Sequence, residues 1–203
     1  MVNMVEKLKK YLDYEKKGIY VELGAFDGIF QSNTKWLEDN YGWTGILIEP
    51  SPNKYKECLN NRKNNIIHNC ACVSFDYVNE TIKGDFIGTP MCSVGGKRKN
   101  RAPTQEVKAF TLQKLIDDSK YKEIDFLSLD VEGYELEVLK GINFSSQKIK
   151  FFLIEIYNKN KDIIFDFMDK NNYSSIENIT NFKKSTHPKW DGTHNDYLFK
   201  LNS

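Results

Sequence analysis

Two carboxylates separated by one residue, Asp130 and Glu132, directly follow an apolar run of the sequence. If this segment is extended, both side chains point the same way at the carboxyl end of a buried strand. Such a pair can take the proton from a hydroxyl group, or can hold a divalent metal, Mg²⁺ or Mn²⁺, that acidifies the hydroxyl. Glu155, near the end of the next predicted strand, is a candidate third member of either arrangement. The plainer alternative is that Glu132 only stabilises the first turn of a helix.

A turn with two glycines, Gly24 and Gly28, follows the first apolar run in the string VELGAFDG. Glycine lets the backbone turn sharply and approach a ligand closely at the carboxyl end of a strand, where open α/β sheets bind nucleotides. The string matches neither the G-x-G-x-x-G of dinucleotide sites nor the Gly-Lys-Ser/Thr of phosphate loops. Its acidic residues, Glu22 and Asp27, would repel phosphates but suit a cofactor with a sulfonium and an ammonium group, as in S-adenosylmethionine. The alternative is an ordinary strand-to-helix connection.

Glu49 ends the next apolar run, about twenty residues after the glycine turn, and an acidic residue there can accept hydrogen bonds from both hydroxyls of a ribose. Its plainer interpretation is a solvated residue that caps the following helix. Cys70 and Ala71 close the third predicted strand, where an adenine ring would lie between apolar side chains. The predicted cofactor site consists of Glu22, Gly24, Ala25, Asp27, Gly28, Glu49, Pro50, Cys70, Ala71 and Asp130.

Short apolar runs typical of strands alternate with helical segments, which predicts a βαβαβ order. The stretches 45–48 and 151–154 are continuously apolar, as expected for strands of a mostly parallel sheet that is covered on both faces. Gly42 stands at a helix stop position, and Ser51 and Pro52 suit the start of the next helix. The predicted strands are 18–23, 44–49, 65–73, 124–130, 150–156 and 197–201, and the predicted helices are 32–41, 51–62, one that ends near Gly141, and 162–171.

Two segments stand apart from this alternation. Residues 4–16 carry apolar side chains at helical spacing and predict an amphipathic helix within the N-terminal stretch 1–17. Residues 75–103 contain several turn-prone glycines and the basic run 97–101. We interpret 75–103 as an insertion, a hairpin followed by a loop over the cleft.

The composition limits the classes of protein that need to be considered. The chain has 203 residues, 40% of them hydrophobic, which predicts a single domain over 1–203. Lysine and arginine number 29 against 28 aspartates and glutamates, so no global field draws the protein to nucleic acid or to an anionic membrane. No apolar run approaches the length of a signal-peptide core or a membrane span, so we expect a soluble, cytoplasmic protein. The four cysteines are expected to be reduced thiols.

The histidines are candidate bases, and two missing motifs limit which group can accept a methyl from the predicted cofactor. His68 lies in a strand run and is interpreted as structural. His187 and His194 flank a loop before the last strand, where a histidine is either solvated or a base at the mouth of the cleft. The chain has neither an Asp/Asn-Pro-Pro-Tyr/Phe segment nor a Pro-Cys dipeptide, so a nucleobase is disfavoured as a methyl acceptor and oxygen is the remaining common acceptor.

Three strings carry a resemblance to a known family: VELGAFDG, SNTKWLEDNYGWTGILIEPSPNKYKECLNNR and IDFLSLDVEGYELEVLKGI. Together they resemble the FkbM-type methyltransferases over residues 18–157, with a gap across the insertion. The resemblance implies a Rossmann-like class I methyltransferase fold of the α/β class, with a mostly parallel seven-stranded sheet and helices on both faces. It also implies S-adenosylmethionine-dependent O-methylation of sugars and natural products. Carried over to this chain, it assigns the methionine-side loop to Glu22, Gly24, Asp27 and Gly28, the ribose contact to Glu49, and the position facing the reactive centre to Asp130.

Three functions stay open at this point. The first is an O-methyltransferase that acts on a hydroxyl of a sugar, glycan or similar small molecule. In such an enzyme the basic run 97–101 is either a solvated loop or a segment that closes on an anionic acceptor. The second is a catalytically silent methyltransferase-fold domain that serves as an interaction module. The third, an RNA 2′-O-methyltransferase, is disfavoured because the near-neutral chain offers one short basic run and no lysine joins the carboxylates.

Overall fold

The computed structural model describes residues 4–202, so residues 1–3 and 203 of the predicted domain lie outside the described part. The strands are β1 (Ile19–Leu23), β2 (Thr44–Ile48), β3 (Ile66–His68), β4 (Cys70–Val73), β5 (Thr81–Gly84), β6 (Gln105–Thr111), β7 (Ile124–Leu129), β8 (Ile149–Tyr157), β9 (Tyr173–Asn178) and β10 (His194–Leu201). The helices are α1 (Met4–Leu8), α2 (Lys35–Tyr41), α3 (Pro52–Asn61), α4 (Leu112–Asp118), α5 (Glu135–Leu139) and α6 (Lys161–Lys170), with a short 3₁₀ helix over Asn158–Asn160.

The main sheet has seven strands in the order β3-β2-β1-β7-β8-β10-β9. The five strands from β3 to β8 in this order run parallel to one another. β10 lies between β8 and β9 and is antiparallel to both. The order reverses at β1, and in open α/β sheets ligands bind beyond the carboxyl ends of the strands at such a point. The predicted mostly parallel, seven-stranded sheet is confirmed.

Helices cover both faces of this sheet. On one face Leu37 of α2 and Cys58 of α3 pack with Leu47 and Phe126, in a core that also includes α1. On the other face helices α4, α5 and α6 pack against alternate strand residues such as Val21. Because neighbouring strand residues point to opposite faces, continuously apolar strands such as β2 supply both cores. Helix α2 ends at Gly42, which takes the left-handed conformation (φ 67°) that the predicted stop requires.

A second sheet has three strands in the order β4-β6-β5. It includes part of the chain for which the sequence analysis predicted no regular strand. The prediction of one strand over 65–73 is wrong, because the chain leaves the main sheet at Asn69. The Asn69 side-chain amide donates hydrogen bonds of 2.9 Å to the carbonyls of Glu49 and Pro50, so this residue is held at the end of β2. The chain then continues as β4, parallel to β6.

The N-terminal helix is shorter than predicted. The helix over 4–16 is confirmed only for α1, after which the chain continues in turns with Leu12 buried. Beyond these turns, the Trp43 indole N–H donates to the Tyr14 carbonyl at 2.9 Å and so holds the segment against the start of β2. Within residues 4–202, no helix combines the length and the apolar character needed to cross a bilayer.

Candidate functional site

A cleft of about 830 Å³, counting the part open to solvent, lies beyond the carboxyl ends of the central strands. Predicted site residues supply much of its wall: Gly24, Glu49, Pro50, Cys70, Ala71, Asp130 and Glu132. The insertion supplies another part, with Phe86, Thr89, Pro90, Cys92, Ser93 and Val94. The structure therefore brings the ends of β1, β2, β4 and β7 together under residues of 75–103.

The glycine turn is fixed between two neighbouring strands. Gly24 has a φ of 78°, and a Cβ at this position would lie 1.9 Å from the backbone oxygen of Asp130. The Gly24 amide donates to the Ile48 carbonyl at 3.1 Å. Phe26, with a φ of 50°, donates its amide to Glu49 Oε2 at 2.8 Å. A side chain at Gly24 would thus push β1 away from β7, which explains why glycine is needed there.

Glu22 turns away from the cleft wall. One carboxylate oxygen accepts hydrogen bonds from the hydroxyls of Ser32 and Thr34 at 2.9 and 2.6 Å, and the other accepts from the Asn33 amide at 2.8 Å. Arg62, which is fully buried, lies 3.6 Å from the same carboxylate. Glu22 therefore anchors the segment that leads into α2.

Asp27, Gly28 and Ala25 also lie outside the cleft wall. Asp27 Oδ1 accepts hydrogen bonds from the amides of Ile29 and Phe30 at 2.9 and 2.7 Å, which shapes the turn. Gly28 has no room for a side chain, since a Cβ would lie 2.6 Å from an Arg62 carbon. Ala25 is buried. The predicted cofactor contacts of these residues and of Glu22 stay predictions.

Glu49 reaches the cleft with both oxygens already anchored. Oε2 accepts from the Phe26 amide and Oε1 from the Ser51 amide, each at 2.8 Å. Burial raises the pKa of Glu49 to about 7, although the two backbone hydrogen bonds oppose the shift. Each carboxylate oxygen can accept a further hydrogen bond, so the group is suited to hold two hydroxyls of a ribose.

Asp130, Glu132 and Glu155 form a carboxylate cluster at one end of the cleft, with one oxygen of each within 4.8 Å of the others. Burial raises the pKa of Glu155 to about 11, and the charge of Asp130 adds to the shift. Burial and the charge of Glu132 likewise hold the pKa of Asp130 well above its ordinary value. Asp130 and Glu155 therefore retain protons at neutral pH.

Glu155 carries an oxygen without a partner. Oε1 lies 3.1 Å from Nε2 of His194, but the buried Oε2 has no hydrogen-bond partner among the described residues. Of the two histidines that flank the loop before the last strand, His194 is thus the one that contacts the carboxylate cluster, and burial lowers its pKa. His187 instead packs against the Phe182 ring at 4.7 Å. His68 lies in β3, as predicted, with its pKa lowered by burial.

Glu132 is held by two side chains that the sequence did not identify. Its Oε2 accepts hydrogen bonds from the Tyr157 hydroxyl at 2.6 Å and from Arg98 Nε at 2.9 Å. Helix α5 begins only at Glu135, whose Oε1 accepts from the Gly133 amide at 2.8 Å. Glu135, rather than Glu132, thus stabilises the start of the helix.

Simple spacing could have found two of the missed residues. Tyr157 lies two positions after Glu155 on β8 and so points to the same face of the sheet. Asp196, whose pKa burial raises to about 6, pairs with Glu155 across β10 and β8. Arg98 belongs to the basic run, but its contact with Glu132 spans 34 positions of sequence, and nothing local indicates it.

Residues 22–175 match the sequence model of a protein family, the methyltransferase FkbM domain. The chain belongs to this family. The predicted resemblance to the FkbM-type methyltransferases is confirmed.

One curated relative is the hexuronic acid methyltransferase AglP of Haloferax volcanii, which is 28% identical over 72 residues. The match covers 36% of this chain and 30% of AglP, so the chain spans less than a third of the length of that relative.

Solved methyltransferases share the architecture. The methyltransferase domain of METTL16 superposes with a TM-score of 0.54 at 9% identity, over 98% of this chain and 65% of that one. The StiE O-MT structure gives a TM-score of 0.53 at 8% identity, over 98% and 73% of the two chains. Precorrin-6y C5,15-methyltransferase from Geobacter metallireducens gives a TM-score of 0.50 at 12% identity, over 97% of this chain and 86% of that one. These likenesses confirm the predicted Rossmann-like class I methyltransferase fold.

Proposed function

We propose that this FkbM protein transfers the methyl group of S-adenosylmethionine to a hydroxyl oxygen of a sugar or glycan. The observation that carries the proposal is the carboxylate cluster of Asp130, Glu132 and Glu155 at one end of the cleft. A hydroxyl must lose its proton as its oxygen takes the methyl group, and buried carboxylates are suited to that task. A sugar acceptor is supported by the name of the relative AglP, a hexuronic acid methyltransferase.

The residues of the cleft fit the cofactor. Ile48, Cys70, Ala71 and Val138 give one part of the wall an apolar character that suits an adenine ring. Glu49 projects into the same cleft with lone pairs free for hydroxyl donors. When bound, S-adenosylmethionine supplies a methyl group on a sulfonium centre. The chain positions that centre by closing β1 against β7 through Gly24.

Asp130 is the residue we assign to the acceptor proton. It lines the cleft, and its amide donates to the Leu23 carbonyl at 3.3 Å, which fixes its backbone beside the glycine turn. Because Asp130 and Glu155 retain protons at neutral pH, Asp130 can take the proton of the acceptor only after a nearby positive charge has favoured its ionised form. Holding the acceptor oxygen in line with the methyl group supplies the rest of the acceleration.

We further propose a divalent cation, Mg²⁺ or Mn²⁺, between these carboxylates. Hard divalent cations prefer carboxylate oxygens, and the unpartnered Glu155 Oε2 leaves a ligand position open. Asp130, Glu132 and Glu155 would hold the ion, and Asp130 and Glu155 would release their retained protons on binding it. When bound, the ion would lower the pKa of a hydroxyl by Lewis acidity.

A panel of acceptors with methyl-labelled S-adenosylmethionine tests the proposal. We expect label on hexoses, uronic acids or their glycosides, and product NMR should place the methyl group on a hydroxyl oxygen. Phenols and ribose 2′-hydroxyls in RNA serve as comparison acceptors. Label confined to RNA, or to a carboxyl group as an ester, would refute the proposed acceptor. Cofactor binding without transfer to any acceptor would favour the silent module.

A further inference from the structure

A second cavity opens directly beside the cofactor cleft. It lies between the insertion, the segment after β8 and the loop before β10, and it shares Val94, Glu132 and Tyr134 with the cleft. A molecule in this cavity would therefore contact a member of the carboxylate cluster. Its position matches what an acceptor needs, next to the cofactor and within reach of the proton-accepting groups.

The wall of the second cavity carries an excess of positive charge. Lys97 and Arg98 come from the insertion and Lys159 from the 3₁₀ helix after β8. Arg98 is already neutralised, because it pairs with Glu132 at 2.9 Å and with Asp191 at 2.7 Å.

The two lysines are not compensated in this way. Lys97 and Lys159 are exposed, and no carboxylate within residues 4–202 forms an ion pair with either. Two ammonium groups on the wall of one cavity attract an anion from solution. The lysine ammonium is a point charge on a flexible side chain, so Lys97 and Lys159 can bind either a carboxylate or a phosphate.

We infer that the second cavity is the acceptor site and that the acceptor is a sugar with an anionic group, a carboxylate or a phosphate, held by Lys97 and Lys159. The inference rests on the proposed function, because it assigns the acceptor of that same reaction. The carboxylate cluster around Asp130 offers an anion no free positive charge, because Arg98 is already paired with Glu132 and Asp191. The acidic group therefore lies at the lysines, and an uncharged hydroxyl of the sugar faces the cluster.

Calorimetry on the intact protein saturated with S-adenosylhomocysteine tests this assignment. The probes are methyl glucuronide, glucose 6-phosphate and the neutral methyl glucoside. We expect at least one acidic sugar to bind about tenfold more tightly than the neutral one, as expected for charge-assisted contacts to two lysines. The double variant Lys97→Gln/Lys159→Gln should remove this preference. The matched control Lys56→Gln/Lys148→Gln, which changes two exposed lysines outside both cavities, should keep it.

The outcomes separate this inference from the proposed function. Equal affinities for acidic and neutral sugars, or a preference that survives in the double variant, would overturn the anionic acceptor. Methylation of the neutral glucoside with unchanged kcat/KM in the double variant would overturn it as well, while O-methyl transfer would stand. Tight, lysine-dependent binding of an acidic sugar that is never methylated would show that the cavity binds anions, and would overturn its assignment to the acceptor together with the proposed reaction. The glucuronide and phosphate arms show which anion the wall prefers.

Discussion

At the scale of single residues, Glu49 shows how the cleft uses a buried carboxylate. Its two oxygens accept backbone amides from the glycine turn and from the start of α3. Each oxygen also keeps a lone pair for a further hydrogen bond, and Glu49 lines the cleft. The same hydrogen bonds that position the group also oppose the rise in its pKa, so the carboxylate titrates near neutral pH.

Glu49→Ala should weaken binding of S-adenosylhomocysteine by about 2–3 kcal/mol, the value of one or two charge-assisted hydrogen bonds. Calorimetry measures the change, with Glu123→Ala at an exposed position outside the cleft as the control. Equal affinities of both variants and the unmodified protein would exclude Glu49 from the cofactor site.

The affinity for S-adenosylhomocysteine should also depend on pH through Glu49. Burial raises the pKa of this group to about 7, and the ionised form accepts stronger hydrogen bonds than the neutral form. Affinity should therefore increase as the pH rises through about 7. Glu49→Gln, which cannot ionise, should show a flatter profile over the same range. A profile that is equally steep in the variant would assign the titration to another group.

At the scale of elements, the sequence could predict most of the main sheet but not the second one. The apolar runs of β1, β2, β7 and β8 are buried on both faces, so composition alone indicates them. β6 and β9 mix buried and exposed residues, and both were missed together with α4. The break at Asn69 depends on contacts with carbonyls 20 and 19 positions away, which no local pattern reveals.

The candidate site divides in the same way. Asp130, Glu132, Glu155 and Glu49 follow apolar runs, and the carboxyl ends of parallel strands meet at one edge, so the sequence could predict their meeting. Glu22 lies within such a run and Asp27 follows it, but both accept hydrogen bonds from groups in the next segment of chain. Whether a side chain faces a ligand or its own loop depends on that packing.

Arg98 attaches the part of the insertion that follows β5 to the body of the protein. This side chain joins the insertion to the β7–α5 loop at Glu132 and to the loop before β10 at Asp191, and its guanidinium lies 5.1 Å from the Tyr157 ring. The pairing lowers the pKa of Asp191 against the effect of its partial burial. Arg98 thus connects three segments that are far apart in sequence.

Arg98→Gln should loosen the insertion without unfolding the sheet. Hydrogen exchange of amides in 85–103 should become faster by about tenfold, since two charge-assisted contacts are lost, while amides of β1 and β7 should not change. Lys99→Gln changes an exposed neighbour in the same basic run and is the control. Identical exchange in the two variants would show that Arg98 does not hold the insertion.

At the scale of the whole molecule, several buried carboxyls make the folded state bind protons more tightly than the unfolded state. Burial raises the pKa of Glu49 and of Glu135 to about 7 and that of Asp196 to about 6. Stability from such groups is fully present below their unfolded pKa and is lost as the pH rises through the folded value. The ligand-free protein should therefore be less stable at neutral than at mildly acidic pH.

The Tm of the ligand-free protein should fall between about pH 5 and about pH 8. Glu135→Gln should make this decline shallower, because Glu135 is one of the titrating groups and Gln keeps an oxygen for the Gly133 amide. Differential scanning calorimetry over this range measures both effects. A Tm that rises with pH would contradict the assignment of protons to these carboxyls.

A divalent cation should reverse part of this loss. Mg²⁺ or Mn²⁺ at millimolar concentration should raise the Tm at neutral pH, because an ion that binds only the folded state stabilises it. Glu155→Gln should reduce this rise, since it removes one ligand of the cluster. Sodium chloride at matched ionic strength is the control for screening. An equal rise in the variant would place the ion elsewhere.

The most direct test of the account is the turnover of Asp130→Asn measured beside its cofactor affinity. If Asp130 takes the acceptor proton, kcat should fall by about a hundredfold or more while the Kd for S-adenosylmethionine stays nearly unchanged. Asp169→Asn, at an exposed position on α6, should retain full turnover. Unchanged turnover in Asp130→Asn, with the methyl group still transferred to a sugar hydroxyl, would contradict the central claim.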